Sequence, residues 1–171
     1  MERGPSADLP VEAILQRAAV TIRCRTSLAR AAALMLEHGV NALPVLVEHG
    51  RLAGLIGIRD VLRVPLPHGS ARPIIRWDRL EEKAALLAAT PVGRVMARPV
   101  VTVGPGARVI AVAALMANRG IHPTPVVVGG DLVGIVGRAD VAGSPARPRS
   151  RWGALAARAL LARAASGHET A

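Results

Sequence analysis

The chain contains two copies of one sequence unit. Residues 11–47 align with residues 92–128 at an offset of 81, and after one residue is lost in a turn the alignment continues at an offset of 80. Many aligned pairs are identical, such as Pro44-Val45 with Pro125-Val126, and most others exchange one aliphatic residue for another. Chance does not preserve so many identities in register. The chain is therefore two copies of a roughly 55-residue unit joined by a linker, which is too few copies for a solenoid.

Each copy predicts the same order of elements, β-α-β-β-α. A short β-branched strand precedes a stretch of helical periodicity that ends at Gly39 in one copy and at Gly120 in the other, and glycine is suited to ending a helix. Two apolar runs around a tight polar turn then predict a hairpin, and a last short helix is expected to begin near Ile58 and near Arg138. We therefore expect an α/β fold of the α+β kind, with two such units packed pseudo-symmetrically.

The predicted organisation has five parts along the chain. The linker is rich in Pro and Gly before helical spacing returns over 79–89. The parts are an N-terminal tail (1–10), the first unit (11–63), the linker with one helix (64–91), the second unit (92–143), and a basic C-terminal helix and tail (144–171).

Composition narrows the class of function. The chain has two Trp and neither Phe nor Tyr, so it lacks the aromatic platform that binds single-stranded nucleic acid. The net charge is +10, and almost all of the basic residues are arginine. Because arginine is frequent throughout the chain, this charge is weak evidence for an anionic partner. Cys24 is the only cysteine, which excludes internal disulfides and thiolate metal clusters. With no apolar run near the roughly 18 residues of a membrane span, we expect a cytoplasmic protein.

Residue spacing predicts neither a catalytic set nor a metal site. The five histidines have no partner four residues away and no cysteine or carboxylate at ligand spacing. No Walker A pattern, dinucleotide-binding glycine motif or nucleophile–base set is present. We therefore expect a protein that is not an enzyme and that requires no cofactor.

Two motifs at matching offset carry a family resemblance. In each copy a helix ends in glycine and an aliphatic residue, a Pro-Val pair opens the next strand, and the closing segment reads GLIGIRD or GIVGRAD. This pattern resembles the cystathionine-β-synthase-type (CBS) motif, whose tandem pair is called a Bateman module. The resemblance implies a regulatory module that binds an adenosine-containing ligand, of the AMP, ADP, ATP, NAD or S-adenosylmethionine type, in clefts between the repeats. It also implies a homodimer that signals to an unidentified effector protein by a conformational or oligomeric shift.

The junction between strand and helix gives the motif a physical reason. Backbone N–H groups at a helix start, together with the helix dipole, suit a phosphate group. By the resemblance, Asp60 and Asp140 accept hydrogen bonds from ribose hydroxyls. Arg59 and Arg138 are placed to add charge-assisted hydrogen bonds to phosphate oxygens.

Candidate ligand-binding residues occur at equivalent places in both copies, where aliphatic side chains are expected to form the walls around a purine. We expect the second copy to hold the better site, because Arg138, Asp140 and the GIHPTP loop lie together there. The full set is Thr21, Val40, Pro44, Val45, Gly57, Arg59 and Asp60 in the first copy, and Thr102, Ile121, Pro125, Val126, Gly137, Arg138 and Asp140 in the second.

Two other interpretations stay open. Aspartate early in a helix caps backbone donors whether or not a ligand binds, so the chain is alternatively a ligand-free interaction or scaffold module. Gly57 and Gly137 favour this, since nucleotide-binding relatives of the CBS type usually carry Thr or Ser there. The second alternative is an anionic surface bound by residues 144–171, although docking of that helix on the module is favoured and nucleic acid is not an expected partner.

Overall fold

The computed structural model describes residues 9–65, 80–121 and 123–143, and it has the predicted mixed α+β class. The expected C-terminal basic helix (144–171), residues 1–8 of the tail and residues 66–79 of the linker lie outside the described residues. The first repeat forms β1 (Ile22–Arg23), α1 (Leu28–Glu37), β2 (Ala42–Leu46), β3 (Leu52–Gly57) and α2 (Ile58–Arg63), in the predicted order. Helix α3 (Leu80–Ala89) follows, and the second repeat forms α4 (Val109–Arg119), β4 (Thr124–Val128), β5 (Asp131–Val136) and α5 (Arg138–Val141).

The central helix of each repeat ends where the glycines predict. Helix α1 is capped at its start by Ser27, whose hydroxyl accepts a hydrogen bond from the Arg30 backbone N–H at 3.3 Å. Gly39, just past its end, has a φ of +65°, and Gly120, which caps α4, has a φ of +62°. Both values lie in the left-handed region that glycine adopts without steric cost, so each helix ends there.

Both predicted hairpins form. In the first, a 3-10 turn at Glu48–Gly50 joins β2 to β3, and within it His49 adopts a φ of +60°. In the second, Gly129 and Gly130 make the turn, and β4 pairs antiparallel with β5, with Pro125 opposite Ile135. The opening strand of the second repeat is reduced to a single parallel bridge between Val103 and Val126.

The described residues form two compact units, and the boundaries of these units do not coincide with those of the two sequence repeats. One unit, here called unit 1, contains residues 9–19, 46–53, 99–121 and 123–143. The other, unit 2, contains residues 20–45, 54–65 and 80–98. Each unit thus combines the central helix of one repeat with the opening segment of the other, and unit 1 also contains the hairpin turn of the first repeat, residues 46–53.

Backbone hydrogen bonds explain why the opening segment of the first repeat belongs to unit 1. The Val11 N–H donates to the Ala107 carbonyl at 2.8 Å, just before α4. Further along the segment, Gln16 and Ile135 exchange two backbone hydrogen bonds of 2.9 and 3.0 Å. Val11 is fully buried in a cluster with residues of the second repeat: Val112, Met116, Val126 and Val136. The segment therefore extends the sheet of unit 1 and closes its core.

Unit 2 contains the same arrangement with the repeats exchanged. The Val92 N–H donates to the Thr26 carbonyl at 2.8 Å, just before α1. Leu55 and Ala97 exchange two backbone hydrogen bonds of 3.2 and 2.8 Å. Val92, like Val11, is fully buried.

Lys83 links α3 to the end of α2 in unit 2. Its ammonium group donates to the carbonyl of Val64, the residue that follows the last turn of α2. Burial lowers the pKa of Lys83 below its ordinary value of 10.5, because desolvation disfavours the charged form.

This environment predicts a pH-dependent stability. Between the lowered pKa and 10.5 the unfolded chain binds more protons than the folded one, so the free energy of unfolding should rise with pH through that window. Lys83→Met should remove this increment. Urea unfolding of both proteins at several values from about pH 8 upward, in a Cys24→Ser background, measures it. An identical pH slope in both proteins would contradict the assignment to Lys83.

Candidate functional site

The two GLIGIRD-type segments form equivalent strand–helix junctions. Gly57 ends β3 and α2 begins at the next residue, while Gly137 follows β5 and precedes α5. In each junction the third helical residue folds back on the glycine: Asp60 Oδ2 accepts from the Gly57 N–H at 2.8 Å, and Asp140 Oδ2 accepts from the Gly137 N–H at 2.7 Å. The glycine N–H groups are therefore used inside the protein, and they are not free for an anion.

The second carboxylate oxygen distinguishes the two junctions. Asp140 Oδ1 accepts a hydrogen bond from the Gln16 side-chain amide at 2.8 Å. In the first repeat no described residue donates to the other oxygen of Asp60. Ala97, the equivalent of Gln16 in the repeat, offers a methyl group in its place. Asp60 is partly buried and keeps one acceptor oxygen that the described part of the chain does not use.

The two candidate arginines are not equivalent. Arg59 is the second residue of α2, whereas Arg138 is the first residue of α5, so they leave their helices in different directions. Both side chains are exposed. Each junction thus combines an aspartate with a nearby exposed guanidinium, an arrangement that can serve a ligand carrying both hydroxyl groups and an anionic group.

The predicted walls divide into accessible and buried residues. Thr21 is exposed, and Val40, Thr102 and Ile121 are partly exposed, so these side chains can contact a ligand. The Pro-Val pairs cannot, because their side chains are fully buried and belong to the core of the two units: Pro44, Val45, Pro125 and Val126. Their role as ligand walls stays a prediction, which their burial in this structure disfavours. Aliphatic side chains at the centre of a hairpin face the core whether or not a ligand binds.

Sequence reasoning missed Gln16. It lies 124 residues from Asp140 along the chain, in a segment that the repeat assigns to the other copy. The one sequence signal is the pairing of Gln16 with Ala97 in the alignment of the repeats, which marks a polar residue present in only one copy. This difference between the copies matters only because the opening segment of the first repeat packs in the same unit as Asp140.

The described residues contain neither a metal-binding cluster nor a membrane-spanning helix. Over residues 9–65, 80–121 and 123–143, no group of three or more His, Cys, Asp or Glu side chains is placed to hold a metal ion. Within the same ranges, none of the helices has the length and apolar character needed to cross a membrane.

The chain matches one protein family twice. The sequence profile of the CBS domain matches residues 11–66 and 92–146. The CBS domain-containing protein YhcV of Bacillus subtilis is 31% identical over 122 residues, which are 71% of this chain and 75% of YhcV. An uncharacterised protein of Methanocaldococcus jannaschii, MJ1404, is 29% identical over 78% of this chain, and the chain spans only 31% of its length.

Solved structures agree with the family match. The CBS domain of a CBS domain-containing membrane protein from Sphaerobacter thermophilus is 33% identical, with a TM-score of 0.65 over 79% of this chain and 86% of that one. The CBS domain pair of protein MJ0100, solved with 5′-methylthioadenosine and S-adenosyl-L-methionine, is 28% identical, with a TM-score of 0.59 over 78% of this chain and 92% of that one.

Proposed function

Because this chain belongs to the CBS-domain family and carries the domain as a tandem pair, we propose that it is a regulatory module that binds an adenosine-containing molecule. The observation that supports this most directly is that no described residue donates to the second carboxylate oxygen of Asp60, which lies beside the exposed Arg59 in the chain. An ionised carboxylate accepts hydrogen bonds from the vicinal hydroxyls of a ribose, and a guanidinium pairs with phosphate or carboxylate. Thr21 and Val40 offer accessible surface in the same unit for the base.

The ligand class is drawn from a related structure. The CBS pair of MJ0100 holds 5′-methylthioadenosine and S-adenosyl-L-methionine, both of which contain adenine and a ribose. Neither of these two ligands has a phosphate. A site that recognises the ribose through a carboxylate needs no hydroxyl to bind a phosphate, which is consistent with glycine at positions 57 and 137.

The module would act by population shift rather than by catalysis. A ligand that binds one conformational or oligomeric state more tightly than another raises the population of that state by the difference in binding free energy. We propose that this state is a homodimer form in the cytoplasm that an effector protein recognises. The site needs no resident cofactor for this role.

A thermal-shift screen with AMP, ADP, ATP, NAD, S-adenosylmethionine and 5′-methylthioadenosine tests the proposal. A ligand present at 100 times its Kd should stabilise the protein by about 2.7 kcal/mol, which a melting curve resolves readily. Asp60→Asn keeps the size of the side chain but removes its charge, and it should weaken binding at this junction about tenfold. Asp131→Asn, at an exposed carboxylate on β5, is the matched control and should change nothing.

A ligand-free interaction module is the second candidate function. It is favoured by one observation: the glycine N–H groups and one oxygen of each aspartate already satisfy each other as helix caps. If none of the six compounds raises the melting temperature at millimolar concentration, ligand binding is excluded for this chemistry and the interaction module is preferred. A rise that adenine alone reproduces would instead exclude the role of the ribose.

A further inference from the structure

We propose that Gln16 occupies the acceptor site of Asp140 and so makes unit 1 the weaker of the two ribose-binding units. This inference rests on the proposed function and specifies which of the two sites is filled first: the first ligand molecule binds at Asp60, not at Asp140. It reverses the ranking expected from the sequence motifs alone, in which the second copy holds the better site.

The position of Gln16 is set by its backbone. Its peptide group exchanges hydrogen bonds of 2.9 and 3.0 Å with Ile135 in β5. Asp140 follows this strand by a short distance along the chain, at the start of α5. The side-chain amide therefore reaches Asp140 Oδ1 at 2.8 Å from a main chain that is already anchored, so forming this bond costs the rotamer entropy of the Gln16 side chain but no further ordering of its backbone.

Ala97 provides the comparison within the same molecule. Its peptide group exchanges the equivalent hydrogen bonds with Leu55 in β3, so the two backbones are built alike. The side chain of Ala97 ends at Cβ and has no donor. The two junctions therefore differ in the donor opposite the aspartate while they share the glycine cap on its other oxygen.

The chemistry of the carboxylate connects this difference to affinity. Ionised aspartate only accepts hydrogen bonds, and in Asp140 both oxygens already accept one, from Gly137 and from Gln16. An incoming ribose hydroxyl must displace the amide of Gln16 or share its acceptor. Losing one hydrogen bond of ordinary net strength lowers affinity by roughly three- to tenfold. Asp60 carries no such penalty from the described residues.

The experiment isolates each site before it changes the donor. Isothermal titration with 5′-methylthioadenosine, which has a ribose and no phosphate, is performed first on the wild type. In an Asp60→Asn background, where binding at Asp60 is about tenfold weaker, the tightest remaining site is that of Asp140, and adding Gln16→Ala should tighten it roughly three- to tenfold. In an Asp140→Asn background the remaining binding reports on Asp60, and adding Ala97→Gln should weaken it by a similar factor. Arg17→Ala, at the exposed neighbour of Gln16, is the matched control and should leave both affinities unchanged.

The outcomes separate this inference from the function on which it rests. Binding by the wild type with no gain from Gln16→Ala, or with a loss, overturns the role of Gln16 and leaves ligand binding standing. A loss would mean that Gln16 orients the carboxylate for the ligand instead of competing with it. Absence of binding by the wild type overturns both proposals. Because Gln16 is exposed, its replacement is expected to leave the folded state intact, and a melting curve of each variant verifies this.

Discussion

Replacing Gly134 by alanine is expected to lower the free energy of unfolding by about 3 kcal/mol. A Cβ atom at Gly134 would meet the side chain of Leu15, which can change its rotamer, and would lie 2.8 Å from the Gln16 carbonyl oxygen, which is closer than side-chain carbons approach a carbonyl. That oxygen cannot move away cheaply, since it accepts the hydrogen bond from Ile135 that joins the opening segment to β5. The added methyl group must therefore separate two paired backbones. Urea unfolding followed by circular dichroism measures the change.

Gly54 is the matched position in the other unit. A Cβ atom there would meet mainly the flexible side chain of Met96, with the Ala97 carbonyl oxygen at 3.1 Å. Methionine can adopt another rotamer, so Gly54→Ala should cost about 1 kcal/mol. The reverse order of the two costs, or equal costs, would contradict the tighter backbone contact assigned to Gly134.

Truncation of Val11 to alanine should cost about 2 kcal/mol, although the residue lies near the start of the chain. The side chain is 0% exposed and packs with Val112, Met116, Val126 and Val136. Removing its two methyl groups leaves a cavity in the core of unit 1. Hydrogen exchange should then show lost protection in α4, β4 and β5, which belong to the other repeat.

Two matched valines complete this test. Val92→Ala removes the equivalent buried side chain of unit 2 and should cost a similar amount, with the protection lost in unit 2 instead. Val47→Ala alters a valine that is 43% exposed and should change the stability by less than about 0.5 kcal/mol. Loss of protection in the first repeat on truncation of Val11 would contradict the exchange of opening segments.

The repeat and its motifs were sufficient to predict the order of the elements. Helical periodicity ending at Gly39 and Gly120, and apolar runs around a polar turn, are local patterns. Local patterns persist in the fold because backbone geometry and hydrophobic periodicity act over a few residues, so both central helices end at these glycines and both hairpins form. The same motifs identified the family, which the profile match confirms.

The candidate site was predicted less completely. The motifs place Asp60 and Asp140 at their junctions correctly, because each lies three residues after the glycine at which its helix is capped. They do not distinguish side chains that face a ligand from those that face the core. Burial depends on what packs against a residue, and Pro44 and Pro125 are covered by the rest of the fold.

What the sequence by itself determined is the doubled unit, its β-α-β-β-α order and the family to which it belongs. Only the tertiary structure decided which opening segment completes which unit, and with it the partner of Asp140. The physical reason is that backbone hydrogen bonds carry almost no residue identity: Gln16 pairs with Ile135 and Ala97 with Leu55 through peptide groups that every non-proline residue possesses. Such pairing leaves no pattern to read along the chain, yet it brings the Gln16 amide to within 2.8 Å of a carboxylate 124 residues away.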